Sequence, residues 1–186
     1  DIQISKITRG KGRVFIQFRV FGEIFEAYSD MQNISIINNY LPVLGIAHIL
    51  NYDLNEVLKN IVKSNVHKSR WQELDFELDK GQVILIDDTY NASPTSMFEA
   101  IRSVDEYEAD RIFRKIIIIG DMLELGDFTK KYHTELVNLI NKTNIDHVYF
   151  CGEYLSSIFG TVSSKKKKKH FRSVRDIQSI DEFELA

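Results

Sequence analysis

The sequence has a single cysteine and no apolar run long enough to span a membrane. Cys151 is the one cysteine among 186 residues, so an internal disulfide is excluded and a reducing, cytoplasmic location is expected. The longest apolar runs have only the length of a strand, and we find no signal peptide or lipidation motif. Cys151 ends one such run and is interpreted as a small core residue.

A strong net charge is also lacking. The formal net charge is −3, so no global basic field favours nucleic acid, and we expect no nucleic-acid partner. The scattered histidines share no metal-ligand spacing, so we expect no metal site ligated by this chain. The lysine run at 165–169 is interpreted as a solvated loop because like charges repel one another, with phosphate or nucleic-acid binding as the less favoured alternative.

What the sequence does contain is enough apolar material for a core. Hydrophobic residues make up 44% and charged residues 27%, as in ordinary globular domains. Residues 14–20 and 23–28 predict a hairpin that turns at Gly22. A helix is expected over 38–50, with Pro42 in its first turn. Asp53 is expected to cap a helix that runs to about residue 63, with Glu56 completing a capping box, and a polar loop is expected at 64–68.

The second half of the sequence has a different rhythm. Short apolar runs at 83–86, 116–119 and 147–150 are typical of central parallel strands, buried on both faces. Helical patterns lie between them at 95–107 and 130–141. This alternation predicts an α/β fold with an open, mainly parallel, doubly wound sheet. A change of composition at 87–94 marks the expected domain boundary.

Both chain ends are interpreted as cut points. The sequence begins without Met in what is interpreted as β-structure, and residues 184–186 fall inside a helical pattern.

Two acidic segments directly follow strands of the expected sheet, at residues 87–94 and 120–126. Ligands of open α/β sheets bind at the carboxyl ends of strands, so contacts to a Mg²⁺-nucleotide or to sugar hydroxyls are one interpretation. The other is structural: Asp88 together with Ser93 or Thr95 would cap the next helix, and Asp121 with Gly126 would shape a turn. The residues alone do not favour either interpretation.

These two segments, followed shortly by His133, resemble the paired motifs of the Mur ligase family, and the resemblance extends over nearly the whole chain. It implies that residues 1–88 are the end of the central ATP-binding domain. Residues 89–186 would then be a Rossmann-like C-terminal domain, truncated at its end.

The resemblance also implies a function. Mur ligases join an amino acid or dipeptide to a growing peptide: ATP phosphorylates a carboxylate, and an amine attacks the acyl phosphate. The likeness is strongest to members that act in peptidoglycan precursor synthesis on a UDP-N-acetylmuramoyl-tripeptide and D-alanyl-D-alanine. ATP and Mg²⁺ are the implied cofactors, with the main Mg²⁺ ligands outside this chain.

The resemblance assigns roles to particular residues. Asn39 matches a residue that contacts adenine, and Arg70 one that faces the terminal phosphate. Asp87, Asp88, Tyr90 and Asn91 match family residues that lie beside the ribose and phosphates. Asp121 and Glu124 match family residues near the amine substrate. The chain departs from the family pattern at Ser35-Ile36, where His-Asn is usual, at Ser69, where Gly is usual, and at Ser93, where Asn is common.

Each role has a structural alternative. Arg70 could be a surface arginine stacked on Trp71, and Asn39 could cap a helix or face solvent. His133 is interpreted as a satisfied structural histidine in a helix. The loop at 120–126 could be no more than a turn.

The sequence contains no Gly-Lys-Thr or Gly-Lys-Ser phosphate loop. Residues 10–13 are Gly-rich but lack the hydroxyl residue and lead into a strand. The family's Mg²⁺-binding carbamylated lysine would also lie upstream. We therefore expect the chain to need an N-terminal portion of the ligase and to be inactive alone. The alternative is a non-catalytic α/β module that kept the fold and lost the chemistry.

Overall fold

The chain folds as two compact units in a computed structural model, which describes residues 1–10, 12–64, 69–78, 81–107, 114–172 and 176. The first unit contains the described residues up to 64 together with 106 and 107, and the second contains those from 69 to 105 and from 114 onward. The boundary expected between Asp88 and Thr89 concerns family domains, which a division by compactness does not test. It stays a prediction, although both residues lie in the second unit.

The first unit has a three-stranded antiparallel sheet in the order β1 (Ile2–Gly10), β2 (Arg13–Val20) and β3 (Glu23–Ser29). Along β2 alternate residues are buried, namely Val14, Ile16, Phe18 and Val20. Phe21 and Gly22, at φ 47° and 97°, form the two-residue turn between β2 and β3. Left-handed backbone at both turn positions matches the twist of a hairpin, and the predicted hairpin is confirmed.

Three helices cover this sheet: α1 (Ile34–Asn38), α2 (Tyr40–Ile49) and α3 (Leu54–Ile61). The helix expected over 38–50 is confirmed as α2, but the short α1 that precedes it was not predicted. Asp53 caps α3 as expected, because its Oδ1 accepts a hydrogen bond of 2.9 Å from the Asn55 amide. Glu56 forms an ion pair of 3.4 Å with Lys59.

The second unit begins with an antiparallel ribbon of β4 (Gln72–Leu78) and β5 (Gly81–Asp87). The prediction of a central parallel strand at 83–86 is therefore wrong in its pairing, although a strand is present. The physical reason is that β5 pairs with β4 in a two-stranded sheet, and Leu85 keeps 46% of its surface exposed. A short apolar run does not reveal the direction of its partner strand.

A parallel sheet forms the centre of the second unit, in the order β6 (Ile116–Gly120), β7 (His147–Cys151) and β8 (Lys167–Phe171). It packs with the helices α4 (Pro94–Asp105), α5 (Thr129–Ile140) and α6 (Glu153–Ile158) around a core that includes Met122, Leu136, Phe150 and Leu155. Short 3-10 turns lie at Gly126–Phe128 and Phe159–Thr161. The expected α/β fold with a parallel sheet is confirmed, as are the helices predicted at 95–107 and 130–141.

The lysine run is only partly a loop: Lys165 and Lys166 lie in the turn before β8, whereas Lys167, Lys168 and Lys169 belong to the strand, so the loop prediction is wrong for these three. Lys167 begins β8, and alternate residues along it are half-buried. The Lys166 ammonium donates to the carbonyl oxygens of Thr143 and Ile145 at 2.7 and 2.8 Å, and Lys168 donates to Val162 O at 2.8 Å. Backbone carbonyl oxygens accept hydrogen bonds from these ammonium groups, and these bonds offset the repulsion between neighbouring lysines.

Two predictions lie outside the described residues. The loop expected at 64–68 is described only at Ser64, and the helical pattern at 184–186 is not described. Within the described ranges, no helix has the length and apolarity that a membrane crossing needs.

Candidate functional site

The first acidic segment is hydrogen-bonded to the segment that precedes β4. Asp87, the last residue of β5, accepts bonds at Oδ1 from the amide and the hydroxyl of Thr89, at 3.1 and 2.7 Å. Its Oδ2 accepts a bond of 2.9 Å from the hydroxyl of Ser69. The Tyr90 amide donates to Ser69 O at 3.0 Å. Residues 69–71 and 87–90, far apart in sequence, therefore form one network.

The two adjacent carboxyl groups of this network have pKa values shifted in opposite directions. The hydroxyls of Thr89 and then Ser69 lower the pKa of Asp87. Burial raises the pKa of Asp88, and a 3.1 Å bond from the Trp71 amide and the charge of Arg70 only partly offset it. Neighbouring carboxyls with divided proton affinities are typical of functional sites, although ion-pair networks also produce them.

Arg70 is held toward solvent between two anchored residues. Its guanidinium carbon lies 4.2 Å from the centroid of the Tyr90 ring, so the cation stacks on Tyr90 and not on Trp71. Trp71 is 2% exposed, and its indole N–H donates to Glu73 at 3.1 Å. Ser69 and Trp71 have φ values of 60° and 51°. Left-handed backbone favours glycine, which gives a physical reason for the Gly that the resemblance implies at residue 69.

The next residues begin α4. Asn91 accepts a bond of 2.8 Å from the Ala92 amide. The Ser93 hydroxyl accepts a bond of 3.3 Å from the Ser96 amide, so the helix-capping interpretation is confirmed for Ser93. The described bond to the Asp88 carboxylate comes from Trp71, which does not support the capping alternative for Asp88.

The second acidic segment follows β6, and its aspartate binds the start of α6. Asp121 accepts bonds from the amides of Tyr154 and Leu155, at 3.0 and 2.9 Å, one to each carboxylate oxygen. These are amides of the first helical turn, which have no partner within the helix. A carboxylate also suits the positive end of the helix dipole. Asp121 thus fixes α6 to the end of β6.

His133 fixes the same segment to α5. The Met122 amide donates to His133 Nε2 at 3.0 Å, and Nδ1 lies 2.7 Å from Thr129 O. Since Nε2 accepts, Nδ1 carries the proton and donates, which assigns the neutral Nδ1–H tautomer. His133 is 1% exposed and Met122 is fully buried. The interpretation of His133 as a satisfied structural histidine is confirmed.

The far end of this segment is presented to solvent. Leu123 is 68% exposed, and Glu124 is exposed with φ at 61°. A non-glycine residue in this conformation costs about 1–3 kcal/mol and persists only where its surroundings hold it. The buried Met122 beside it is such an anchor. Glu124 therefore presents an exposed carboxylate from a held backbone in the loop after β6.

The site residues expected from the sequence divide into three groups. Arg70, Asp87, Asp88 and Tyr90 share one network with Asn91 next to it, and Asp121 and Glu124 share the loop after β6. Asn39 lies in the first unit between α1 and α2, where it is exposed and makes no side-chain cap bond. Sequence reasoning did not assign a role to Ser69, which donates a hydrogen bond to Asp87; its only signal was the departure from the Gly expected at that position.

Within the part of the chain that the structure describes, no group of three or more His, Cys, Asp or Glu side chains is placed to hold a metal ion. Asp87 and Asp88 are adjacent, but both already accept internal hydrogen bonds.

Comparison with known proteins identifies the family. The model of the Mur ligase glutamate ligase domain matches residues 70–184, more than half of the chain. The UDP-N-acetylmuramoyl-tripeptide–D-alanyl-D-alanine ligase of Rickettsia prowazekii is 34% identical over 140 residues, which cover 75% of this chain and 30% of the relative. The Bacillus subtilis enzyme of the same name is 37% identical over 91 residues, covering 49% of this chain and 18% of that protein.

Solved structures agree on the fold. MurF from Acinetobacter baumannii superposes with a TM-score of 0.76 at 22% identity, over 92% of this chain and 35% of that one. MurF ligase from Thermotoga maritima, solved with ADP, gives a TM-score of 0.65 at 18% identity, over 96% of this chain and 44% of that one. The chain spans about a third of the length of the Rickettsia relative. On the match to more than half of its residues, the chain belongs to the Mur ligase family.

Proposed function

We propose that this chain supplies the closing C-terminal part of an ATP-dependent ligase, together with part of its nucleotide site. The ligase would add D-alanyl-D-alanine to a UDP-N-acetylmuramoyl-tripeptide in cytoplasmic peptidoglycan precursor synthesis. The names of the curated relatives support this choice of substrates. The observation that carries the proposal is the network of Arg70, Asp87, Asp88 and Tyr90 in a chain of this family.

The network suits the nucleotide side of the reaction. Arg70 presents a planar, permanently charged guanidinium, which can form paired bonds with phosphate oxygens. The guanidinium carbon of Arg70 lies 4.2 Å from the centroid of the Tyr90 ring, which supports it. The internal hydrogen bonds of Asp87 hold the segment that carries Tyr90. In the proposed reaction Arg70 offsets charge on the phosphoryl group as it moves to the tripeptide carboxylate.

The remaining nucleotide contacts are assigned by position. By the family resemblance, Asp88, Tyr90 and Asn91 would contact the ribose and phosphates, and Asn39 would contact adenine. Exposure of Asn39 leaves its amide available for such a contact. Asp87 acts through its neighbours, because both of its carboxylate oxygens already accept hydrogen bonds.

The loop after β6 suits the amine side. Glu124 is an exposed carboxylate that could bind the ammonium group of the dipeptide and orient it toward the acyl phosphate. Asp121 would act as a positioning residue for that loop, because both of its oxygens hold α6. When the domain closes, these side chains would also help to keep water from the acyl phosphate.

An N-terminal portion must complete the proposed enzyme. The phosphate loop and the main Mg²⁺ ligands would come from that portion, and bound Mg²⁺ would neutralise phosphate charge. The first unit offers a surface for it, since Ile46 and Ile49 on α2 are 60% and 72% exposed. Exposed apolar side chains of this kind are typical of a contact surface.

Complementation tests the proposal. The chain is mixed with a separately produced N-terminal portion of the ligase, and ADP release is measured with the tripeptide precursor and D-alanyl-D-alanine. We expect no turnover by the chain alone and turnover by the mixture. Arg70→Lys should lower the rate of the mixture at least tenfold, because an ammonium cannot reproduce the paired guanidinium bonds.

Lys169→Gln, which removes one surface charge on β8, serves as the matched control and should leave the rate unchanged. Failure of the mixture to release ADP, with both parts folded, would favour a non-catalytic α/β module. Turnover by the chain alone would contradict the requirement for the N-terminal portion.

A further inference from the structure

A concave site lies at the opposite end of the parallel sheet from the loop after β6. It is a groove of about 440 Å³ at the amino ends of β6, β7 and β8. Arg114 precedes β6 on one side; Lys165 lies in the turn before β8, and Lys167 is the first residue of β8. Asp146 and His147 lie at the start of β7. The groove has the volume of a small-molecule site, and nothing in the proposed reaction uses it.

The charges in the groove are unbalanced. Its lining includes four cations, Arg114, Lys165, Lys166 and Lys167, and one carboxylate, that of Asp146; a second carboxylate, that of Asp105, lies nearby and accepts a bond of 2.7 Å from the amide of the lining residue Asn144. Asp146 Oδ2 already accepts a bond of 2.8 Å from the Lys115 amide. Among the ion pairs of the described residues, none involves Arg114, Lys165 or Lys167. Three cations therefore line a common space without an ion pair among those of the described residues, and they outnumber the two nearby carboxylates of Asp105 and Asp146.

Lys166, the fourth cation, has a structural role that reduces the repulsion of an anion by nearby carbonyl groups. The carboxyl end of α5 points its carbonyls toward this region, and the negative end of a helix dipole disfavours anions. The Lys166 ammonium donates to Thr143 O and Ile145 O just beyond that end, at 2.7 and 2.8 Å. The Lys166 ammonium therefore covers the carbonyl oxygens of Thr143 and Ile145, which would otherwise repel an anion.

We propose that this groove binds a diphosphate group, as a free ion or as part of a larger phosphate ester. Compact phosphate groups carry high charge and accept bonds in several directions, which suits cations that converge from two sides. The assignment does not depend on the proposed ligase function, because the groove is at the amino ends of the strands and the ligase residues follow their carboxyl ends.

Lys169 provides a matched control in the same lysine run. Lys167 and Lys169 are both exposed, lie on the same face of β8 and carry the same charge. Lys167 lines the groove, whereas Lys169 is beyond it, with its ammonium 5.2 Å from the Phe171 ring. A comparison of the two substitutions separates binding in the groove from attraction to the general surface charge.

Inorganic pyrophosphate is titrated into the whole chain by calorimetry at physiological salt. We expect Lys167→Gln and Arg114→Gln each to weaken binding roughly tenfold, since each removes a charged hydrogen bond. Lys169→Gln should change the affinity less than about twofold. Lys165→Gln gives a second measurement on the β8 side should Lys167→Gln fail to fold.

Equal losses for Lys167→Gln and Lys169→Gln would overturn the proposal, because they would show attraction to surface charge alone. Absence of pyrophosphate binding to the wild-type chain at millimolar concentration would do the same. Citrate tests the chemical class: if this tricarboxylate binds as tightly as pyrophosphate, the phosphate assignment is wrong. Parallel titrations of free pyrophosphate and a nucleoside diphosphate distinguish the free ion from the ester.

Discussion

The carboxyl carbon of Asp121 lies 2.3 Å from the position that a Cβ would take on Gly152, closer than real Cβ contacts come. Gly152 also has φ at 133°, where side chains are strained. Gly152→Ala should therefore lower the free energy of unfolding by about 2–5 kcal/mol, through overpacking and backbone strain together. Urea unfolding measures this loss.

Gly160 is the control for this substitution, because a Cβ there would meet nothing within 4 Å. Gly160→Ala should change the stability by less than about 1 kcal/mol. Repeating Gly152→Ala in an Asp121→Ala background should reduce its cost, since the collision is then absent and only the strain remains. An unchanged cost in that background would show that Asp121 is not the obstacle.

The bond from Met122 to His133 leads to a second expectation. His133→Asn leaves an amide too short to reach the Met122 N–H, whereas His133→Gln can place an oxygen near the position of Nε2. An unsatisfied buried donor costs about 1–3 kcal/mol, so the Asn variant should be the less stable of the two. Hydrogen exchange at the Met122 amide should also be faster in it. Equal exchange in both variants would mean that His133 does not hold the loop.

Much of the fold could be predicted because local patterns report burial. The runs at 14–20, 116–119 and 147–150 are strands, and the helix at 130–141 is α5. β4 was missed although Leu74 to Leu78 alternates apolar and acidic residues, a pattern that predicts a strand. β8 was missed for another reason. Lysine stems can pack along a sheet while their ammonium groups reach carbonyl oxygens, so charge did not signal a loop there.

The candidate site was predictable in its residues but not in its contacts. The acidic positions Asp87, Asp88 and Asp121 stand out in the sequence because they follow apolar runs. Their partners Ser69, Trp71 and Tyr154 lie on other elements, and no local pattern pairs them. Only the fold brings these segments together, which is why Asp121 as a cap for α6 could not be foreseen.

The opposite pKa shifts of Asp87 and Asp88 give opposite pH dependences. The pKa of Asp87 is lowered below its ordinary 3.8, so its contribution to stability is present above that value and is lost as the pH falls through the folded-state pKa. Asp87→Asn should lower stability at pH 7 by about 1 kcal/mol through weakened hydrogen bonds. This deficit should shrink in acid, where the wild-type Asp87 carboxyl is protonated and is therefore uncharged, like the asparagine amide.

Asp88 should behave in the reverse manner. Because burial raises its pKa, the folded state binds the proton more tightly than the unfolded state, and wild-type stability falls as the pH rises from 3.8 through the raised value. Asn at this position keeps an oxygen for the Trp71 amide. Asp88→Asn should therefore equal the wild type in acid and be slightly more stable at pH 7. Urea unfolding from pH 3 to 7 tests both variants. If Asp88→Asn is less stable than the wild type at pH 7, the raised pKa of Asp88 is contradicted.

Cys151 offers a last test of the packing around Gly152 and Asp121. Burial raises the pKa of its thiol above the ordinary 9.0, and the charge of Asp121 adds to the effect. Since the thiolate is the nucleophile, alkylation by iodoacetamide at pH 8 should be several times slower than that of glutathione. Unfolding in urea should restore the rate of a free thiol. Asp121→Asn should accelerate alkylation of Cys151 in the folded protein only slightly, because burial is the larger cause of the raised pKa. A folded chain that reacts as fast as glutathione would show that the end of β7 is open to solvent.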